Sequence, residues 1–376
     1  MAVTLSGARV FDGQALQDGL AVVIEGGKVV ALIPEAGARD ATQVRGILAP
    51  AFLDLQVNGG GGHLVSSTTT AADLATVCSA HRALGTAGVL PTLITDTPEA
   101  TAQVITAGLA AIGTPGFLGL HLEGPHLDPR RKETHDPALI RPMQAEDLAR
   151  LCEAARRLPA LMVTLAPESA TPDQIAALAG AGAVVSLGHS DCSFEEAQAA
   201  FKAGARCATH LFNAMSQMGN RAPGLAGAVL AGTCAAGLIA DAIHVHPATL
   251  RAALAARPDG VFLVTDCMAF AGTDATEMRL NGRRVLRRDG RLTLEDGTLA
   301  GADLTLPQAI ATLVRQVGIT PERALAMASV LPARLIGVED RFGAIAPGRA
   351  AELVLLAEDF SLSGVWSGAD WLIAPR

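Results

Sequence analysis

Five polar side chains sit at the ends of apolar runs in this chain, and their types suit metal-assisted hydrolysis. Glu123 follows one run (HLEGPH), His189 another (SLGHSD), and His210 ends a third (ATHLFNAM); His244 lies just past a fourth (ADAIHVH), and Asp266 ends a fifth (LVTDCM). One carboxylate and two neutral imidazoles make the donor set of an open hydrolytic site, where water keeps a position on the ion. An aspartate beside such a site can take a proton from water and return it to a leaving group. Any one of these residues alone is more often a satisfied structural group. Five at equivalent ends of different runs carry the argument jointly.

The elements that must position them follow from the same runs. Apolar strand-like stretches lie at 51–57, 88–94, 117–122, 161–165, 183–187, 206–210, 235–240 and 261–265, separated by Ala-rich helical segments such as AADLATVCSAHRALGTAG. Eight strands alternating with helices predict an α/β fold, a (β/α)8 TIM-like barrel, and all five residues then fall on its C-terminal rim, where such barrels place their sites. A doubly wound open sheet would bring a Gly-rich phosphate loop after its first strand, whereas this strand ends in VNGGGGH with no GxGxxG opening a helix. Both chain ends read as β-rich: LAVVIEGGKVVALI folds back at Gly26-Gly27, and AELVLLAED follows the Pro347-Gly348 turn. The division expected is a small β-sandwich domain built from both termini, 1–48 and 341–376, around a barrel at 49–340. Residues 278–300 read as an inserted hairpin.

Composition narrows the function classes. With 29 Lys plus Arg against 37 Asp plus Glu in 376 residues, the net charge of −8 offers no basic footprint for nucleic acid. Aromatic residues are 3% with no Tyr, which argues against base-stacking platforms and membrane belts. Six cysteines without a CxxC pair predict neither a disulfide framework nor a zinc knuckle, and fit a reduced, cytoplasmic protein. Residues 222–240 are uncharged, but four Gly and one Pro make them a buried helix–loop–strand and not a membrane span. No signal peptide is evident at the start, so a soluble protein is expected.

Read in order, AFLDLQVNGGGG, HLEGPH, LGHSD, ATHLFNAM, APGLAGAVL, DAIHVH, VTD and GTLAGADLTL closely resemble the N-acetylglucosamine-6-phosphate deacetylases of the amidohydrolase superfamily. The resemblance runs through nearly the whole chain. It implies hydrolysis of a phosphorylated N-acetyl amino sugar to the amine and acetate. Glu123, His189 and His210 would hold one divalent metal ion, zinc by default, with iron, cobalt or manganese fitting the same donors. Asp266 would be the catalytic aspartate, and His135, in RRKETHDP, the histidine that helps polarise the amide oxygen.

The resemblance further implies that Asn213, Ala214, Arg221 and His244 hold the substrate phosphate, Arg221 reaching into the neighbouring subunit's site of a homodimer. Gly124, Thr134, Asp241, Leu299, Ala300 and Gly301 match further substrate positions. Two departures stand out. Glu133 occupies a place commonly glycine, and His126 one that is often aromatic. Many amidohydrolases open with an HxH pair for a second ion; here Gln56-Val57-Asn58 stands there, so a single ion is expected, with Gln56 near it. The other readings are a deacetylase for the galactosamine epimer, an N-acyl amino acid deacylase, and a barrel that has lost catalysis. The second of these leaves Arg221 and His244 without a task, and the last would have shed ligands that are all present.

Overall fold

The computed structural model describes residues 2–280 and 282–375. Eight parallel strands form one continuous sheet: β1 (Phe52–Val57), β2 (Thr86–Ile94), β3 (Leu120–Glu123), β4 (Leu161–Leu165), β5 (Val184–Leu187), β6 (Cys207–Ala208), β7 (Ala235–Leu238) and β8 (Val261–Leu263). Each pairs in parallel with the next in sequence order. All eight are buried on both faces, as a parallel sheet wrapped by helices requires. The fold is the (β/α)8 barrel read from the alternating runs.

Several boundaries differ from the expectation. The sixth strand is two residues long rather than five, because the backbone turns at Thr209 to aim His210 inward, where φ is 29°. Glu123 is the last residue of β3 rather than its successor, and remains in register with Thr164 of β4.

The barrel closes between β1 and the segment after β8. Asp266 N–H donates to the Gln56 carbonyl at 3.0 Å, and Asn58 N–H to the Cys267 carbonyl at 2.8 Å. Below these bonds, the wholly buried Asp54 carboxylate accepts from the Thr265 N–H at 3.2 Å and from its hydroxyl at 2.6 Å. A side chain thus extends the ladder where the backbone leaves it.

Helices reach the barrel with caps legible in the sequence. Thr70, Thr171, Ser193 and Thr305 each accept from the backbone three residues on while the residue there reaches back, a reciprocal box that satisfies two otherwise orphaned donors. Residues 222–240 form a helix (Gly224–Ala231) and then β7. Among the described residues no helix is long and apolar enough to cross a membrane.

The chain ends meet in two further sheets. One holds six strands in the order 370–373, 362–367, 352–356, 47–50, 9–11, 16–17; the other holds 28–34, 20–25, 3–6, 42–43. Leu5, Val22 and Ile24 from the second sheet pack with Leu48, Leu353, Leu355 and Trp366 from the first in one core apart from the barrel's. The segment at 278–300 is larger than a hairpin: four antiparallel strands span Glu277–Ala302, with their own small core of Leu280, Val285, Leu292 and Leu294. This sheet stands over the barrel rim.

Candidate metal centre and substrate cavity

The ends of β3, β5 and β6 bring three side chains together. Glu123 Oε1 lies 3.2 Å from His189 Nε2 and 3.0 Å from His210 Nε2, and the two nitrogens are 3.1 Å apart. Two ligands on a tetrahedral ion with bonds of about 2.0–2.1 Å sit roughly 3.3 Å apart, so this triangle is close to one face of such a site. The outward nitrogens are committed. The carbonyl of Arg131 accepts from His189 Nδ1 at 2.7 Å, and that of Asn213 from His210 Nδ1 at 3.2 Å, which turns both Nε2 atoms to the centre. Glu123, His189 and His210 are the one ligand-capable cluster of this kind among the described residues. The donor set and its spacing fit a divalent ion.

Electrostatics reinforce the arrangement. Burial alone would raise the Glu123 carboxyl, yet bonds and charge from the two histidines hold it well below the usual carboxylate range. Burial opposes charge on His210 as well, but Glu123, with Asp266 and Glu133 behind it, pushes that imidazole up to about 9.

Asp266 sits beside the triangle with its backbone in the left-handed region, at φ 52°; His189 and Glu133 share that conformation at 47° and 44°. Non-glycine residues so placed cost about 1–3 kcal/mol each and gather where surrounding structure over-determines them. Asn58 Nδ2 donates to Asp266 Oδ1 at 2.7 Å and Gln56 Nε2 at 3.2 Å, while Gln56 also reaches Glu123 Oε1 at 3.2 Å. Both amides converge on Oδ1, leaving Oδ2 without a partner among the described residues. Burial, with the Glu123 charge, pushes the Asp266 carboxyl up to about 6. Gln56 and Asn58 therefore act as donors to carboxylates.

His135 is buried on the far side of the triangle, its ring centroid 4.3 Å from that of His189. Its Nδ1 accepts from the Thr95 N–H at 3.3 Å and lies 2.7 Å from the Thr95 hydroxyl. Burial and the neighbouring histidines keep its pKa well below the usual value, so the ring is neutral with its proton on Nε2.

A narrow cavity opens over these groups, lined by Asn58, Glu123, Glu133, Thr134, His135, His189, His210, Asn213, His244, Asp266, Leu299, Ala300 and Gly301 among others. Gly301 belongs there for a physical reason: at φ 70° a Cβ would lie 2.7 Å from the Asp266 carbonyl oxygen.

Of the remaining residues singled out in the sequence, some stand outside the lining. Asp241 lies behind His244, its carboxylate spent on His244 Nδ1 at 2.6 Å and on the backbone of Ile243 and His244 at 2.8 Å. Burial disfavours charge on His244, but the Asp241 bond outweighs it and raises that pKa. Gly124 packs against Thr95, whose hydroxyl would lie 2.3 Å from an added Cβ. Ala214 is buried with φ 47°, its carbonyl accepting from the Ser190 N–H. Arg221 is exposed on a loop and is absent from this chain's own cavity lining. His126 is buried, with Nδ1 at 3.1 Å from the Arg141 carbonyl.

Sequence reasoning read Asn58 only as part of a weak ligand pair for a second ion, and passed over Thr95 and Asp54. The last had a signal, since Asp54, Gln56 and Asn58 alternate along one strand and must share its inward face.

The comparisons agree with this geometry. The profile of the amidohydrolase family matches residues 47–372. The chain is 37% identical, over 87% of its length and 83% of the relative's, to an N-acetylgalactosamine-6-phosphate deacetylase of Shewanella sp. (strain ANA-3). It is 32% identical to the N-acetylglucosamine-6-phosphate deacetylase of Haemophilus influenzae, over 93% and 94% of the two chains. The crystal structure of the N-acetylglucosamine-6-phosphate deacetylase from Pasteurella multocida superposes with a TM-score of 0.94 at 32% identity, covering 99% of this chain and 100% of that one.

Proposed function

The chain belongs to the amidohydrolase family, and on that premise we propose that it hydrolyses N-acetylglucosamine 6-phosphate to glucosamine 6-phosphate and acetate. The observation that carries this reading is the convergence, at one end of the barrel, of the Glu123–His189–His210 triangle, a free Asp266 oxygen and the His135 donor around one cavity.

A divalent ion held by Glu123, His189 and His210, zinc in this proposal, acidifies water and polarises the acetamide carbonyl when bound. The protein's own groups do the rest. His135 Nε2–H donates to the amide oxygen as negative charge develops there. Asp266 Oδ2 takes a proton from the attacking water and gives it to the nitrogen as the C–N bond breaks. A carboxyl held near 6 is ionised at neutral pH yet not too weak an acid to return the proton. His244, whose pKa the Asp241 bond raises, faces the phosphate together with Asn213. Arg221 completes that pocket from a neighbouring subunit of a homodimer, since its exposed loop stands apart from its own cavity. Leu299, Ala300, Gly301 and Thr134 border the sugar. The reading also includes a cytoplasmic setting, in keeping with six free cysteines among the described residues.

A second reading, the galactosamine epimer as substrate, is favoured by the 37% identity to the Shewanella deacetylase. Acetate release from both epimeric 6-phosphates and from unphosphorylated N-acetylglucosamine, with and without a chelator, decides. Chelator-sensitive release confined to the phosphorylated glucosamine derivative is the expected result. Preference for the galactosamine derivative would establish the second reading, and release from none of the three would refute both.

A further inference from the structure

Three buried side-chain polar atoms lack a hydrogen-bond partner among the described residues, and one of them, Oδ1, belongs to Asn58, a residue that lines the cavity. Chemistry fixes its orientation. An ionised Asp266 can only accept, so the Asn58 NH2 must face it, at 2.7 Å, and the amide oxygen must face elsewhere. A buried acceptor left bare is costly, and native proteins seldom carry one without a use.

What it needs is a donor close to Asp266. On the function proposed above, the substrate brings one: the N–H of the scissile amide. The nitrogen has to approach Asp266 to receive its proton, and Asn58 is hydrogen-bonded to that same carboxylate. We propose that Asn58 Oδ1 accepts the substrate N–H and so turns the nitrogen lone pair toward Asp266 Oδ2. When water adds to the carbonyl carbon its proton passes to Asp266, and the amide nitrogen loses its conjugation and becomes pyramidal. The C–N bond then breaks, its electron pair stays on nitrogen, and the Asp266 proton completes the amine. With the N–H tied to Asn58, that lone pair cannot rotate away from the acid.

The test compares the amide with an analogue in which oxygen replaces N–H, 2-O-acetylglucose 6-phosphate. Both leaving atoms need the proton from Asp266, but only the amide can donate to Asn58. In the metal-loaded full chain, Asn58→Ala is expected to lower kcat/KM on the amide by a factor about 10–100 greater than on the ester, the range of one lost hydrogen bond. Gln56→Ala loosens Asp266 from its other side without touching an N–H acceptor, and should weaken both substrates alike. Metal content and thermal unfolding check that each variant is intact; if the alanine variant fails to fold, Asn58→Ser serves in its place. Equal losses on amide and ester, with the native chain active on the amide, would overturn the role of Asn58 and leave the function standing. A native chain inactive on the amide would overturn the function, and this inference with it.

Discussion

Acidity opposes metal binding at this centre, and the structure indicates by how much. In the metal-free protein the His210 imidazole holds a proton up to about 9, because the Glu123 contact at 3.0 Å outweighs the burial that works against its charge. A metal ion needs that Nε2 lone pair, whereas Glu123 is ionised throughout and releases nothing. Each ion bound below about pH 9 therefore expels one proton from His210. Apparent affinity should rise tenfold per pH unit from neutrality and flatten near 9, so the handicap at pH 7 is about 100-fold, or roughly 3 kcal/mol.

The metal-free fold should move the other way. A histidine whose folded pKa is raised above its ordinary 6.5 contributes stability that is complete below 6.5 and lost as pH climbs through about 9. The assay is calorimetric titration of zinc into chelator-stripped protein at pH 7.0, 7.5 and 8.0, in buffers of different ionisation enthalpy and with a competing chelator. Close to one proton released per ion from this histidine is expected at pH 7.5. Affinity independent of pH, with no protons released, would refute the reasoning and show His210 neutral before the metal arrives.

Other perturbations separate the remaining parts of the site. Asp266→Asn should retain the metal, as read by elemental analysis, yet lose about 10²–10⁴-fold in turnover, since an amide cannot accept the proton; near-native turnover would exclude it as the base. In the metal-loaded protein kcat/KM should rise with pH as Asp266 ionises, with a midpoint at or below the value of about 6 that burial and the Glu123 charge give the metal-free site, and a midpoint well above it would point to another group. Asp54→Ala leaves the Thr265 N–H and hydroxyl bare at the barrel seam, and should cost about 2–4 kcal/mol in urea unfolding; a change within 0.5 kcal/mol, about the spread of neutral surface substitutions, would deny the stitch. Asp241→Asn removes the partner that raises the His244 pKa. KM for the phosphorylated sugar should then increase more at pH 8 than at pH 6, and an equal increase at both would mean that Asp241 only shapes the loop.

The residues that made the chain readable are those whose role follows from strand order. Glu123, His189, His210 and Asp266 stand at the ends of apolar runs, and a parallel barrel has no other place for such ends than one rim. What escaped depends on contacts between distant segments. That His135 presents Nε2–H and not Nδ1–H follows from Thr95, forty positions away, and no spacing rule connects them. Asp241 looks like a ligand-facing acid in sequence, and only its bond to His244 shows it standing behind. The sixth run breaks after two residues because Thr209 and His210 leave the ladder, a turn that the apolar pattern RCATH does not mark. Asp54, Gln56 and Asn58 were visible as an inward-facing series, but their value lies in whom they donate to and accept from across the closing seam.

The six-stranded sheet also sets an order of events during synthesis. Its strand at 47–50 pairs with the strand at 352–356, which emerges from the ribosome only after the whole barrel. At ordinary elongation rates, the roughly 300 intervening residues take about 15–60 s. Throughout that interval Val10, Ile47 and Leu48, all buried in the finished protein, have no late strand to cover them. The nascent chain thus carries an open β edge beside a barrel that is already closing, and this edge is where chaperones would be needed. Loss of the last strands, by a premature stop or a protease, would spare every catalytic group and still leave a sticky half-sheet, so such damage would show first as aggregation and only second as lost activity.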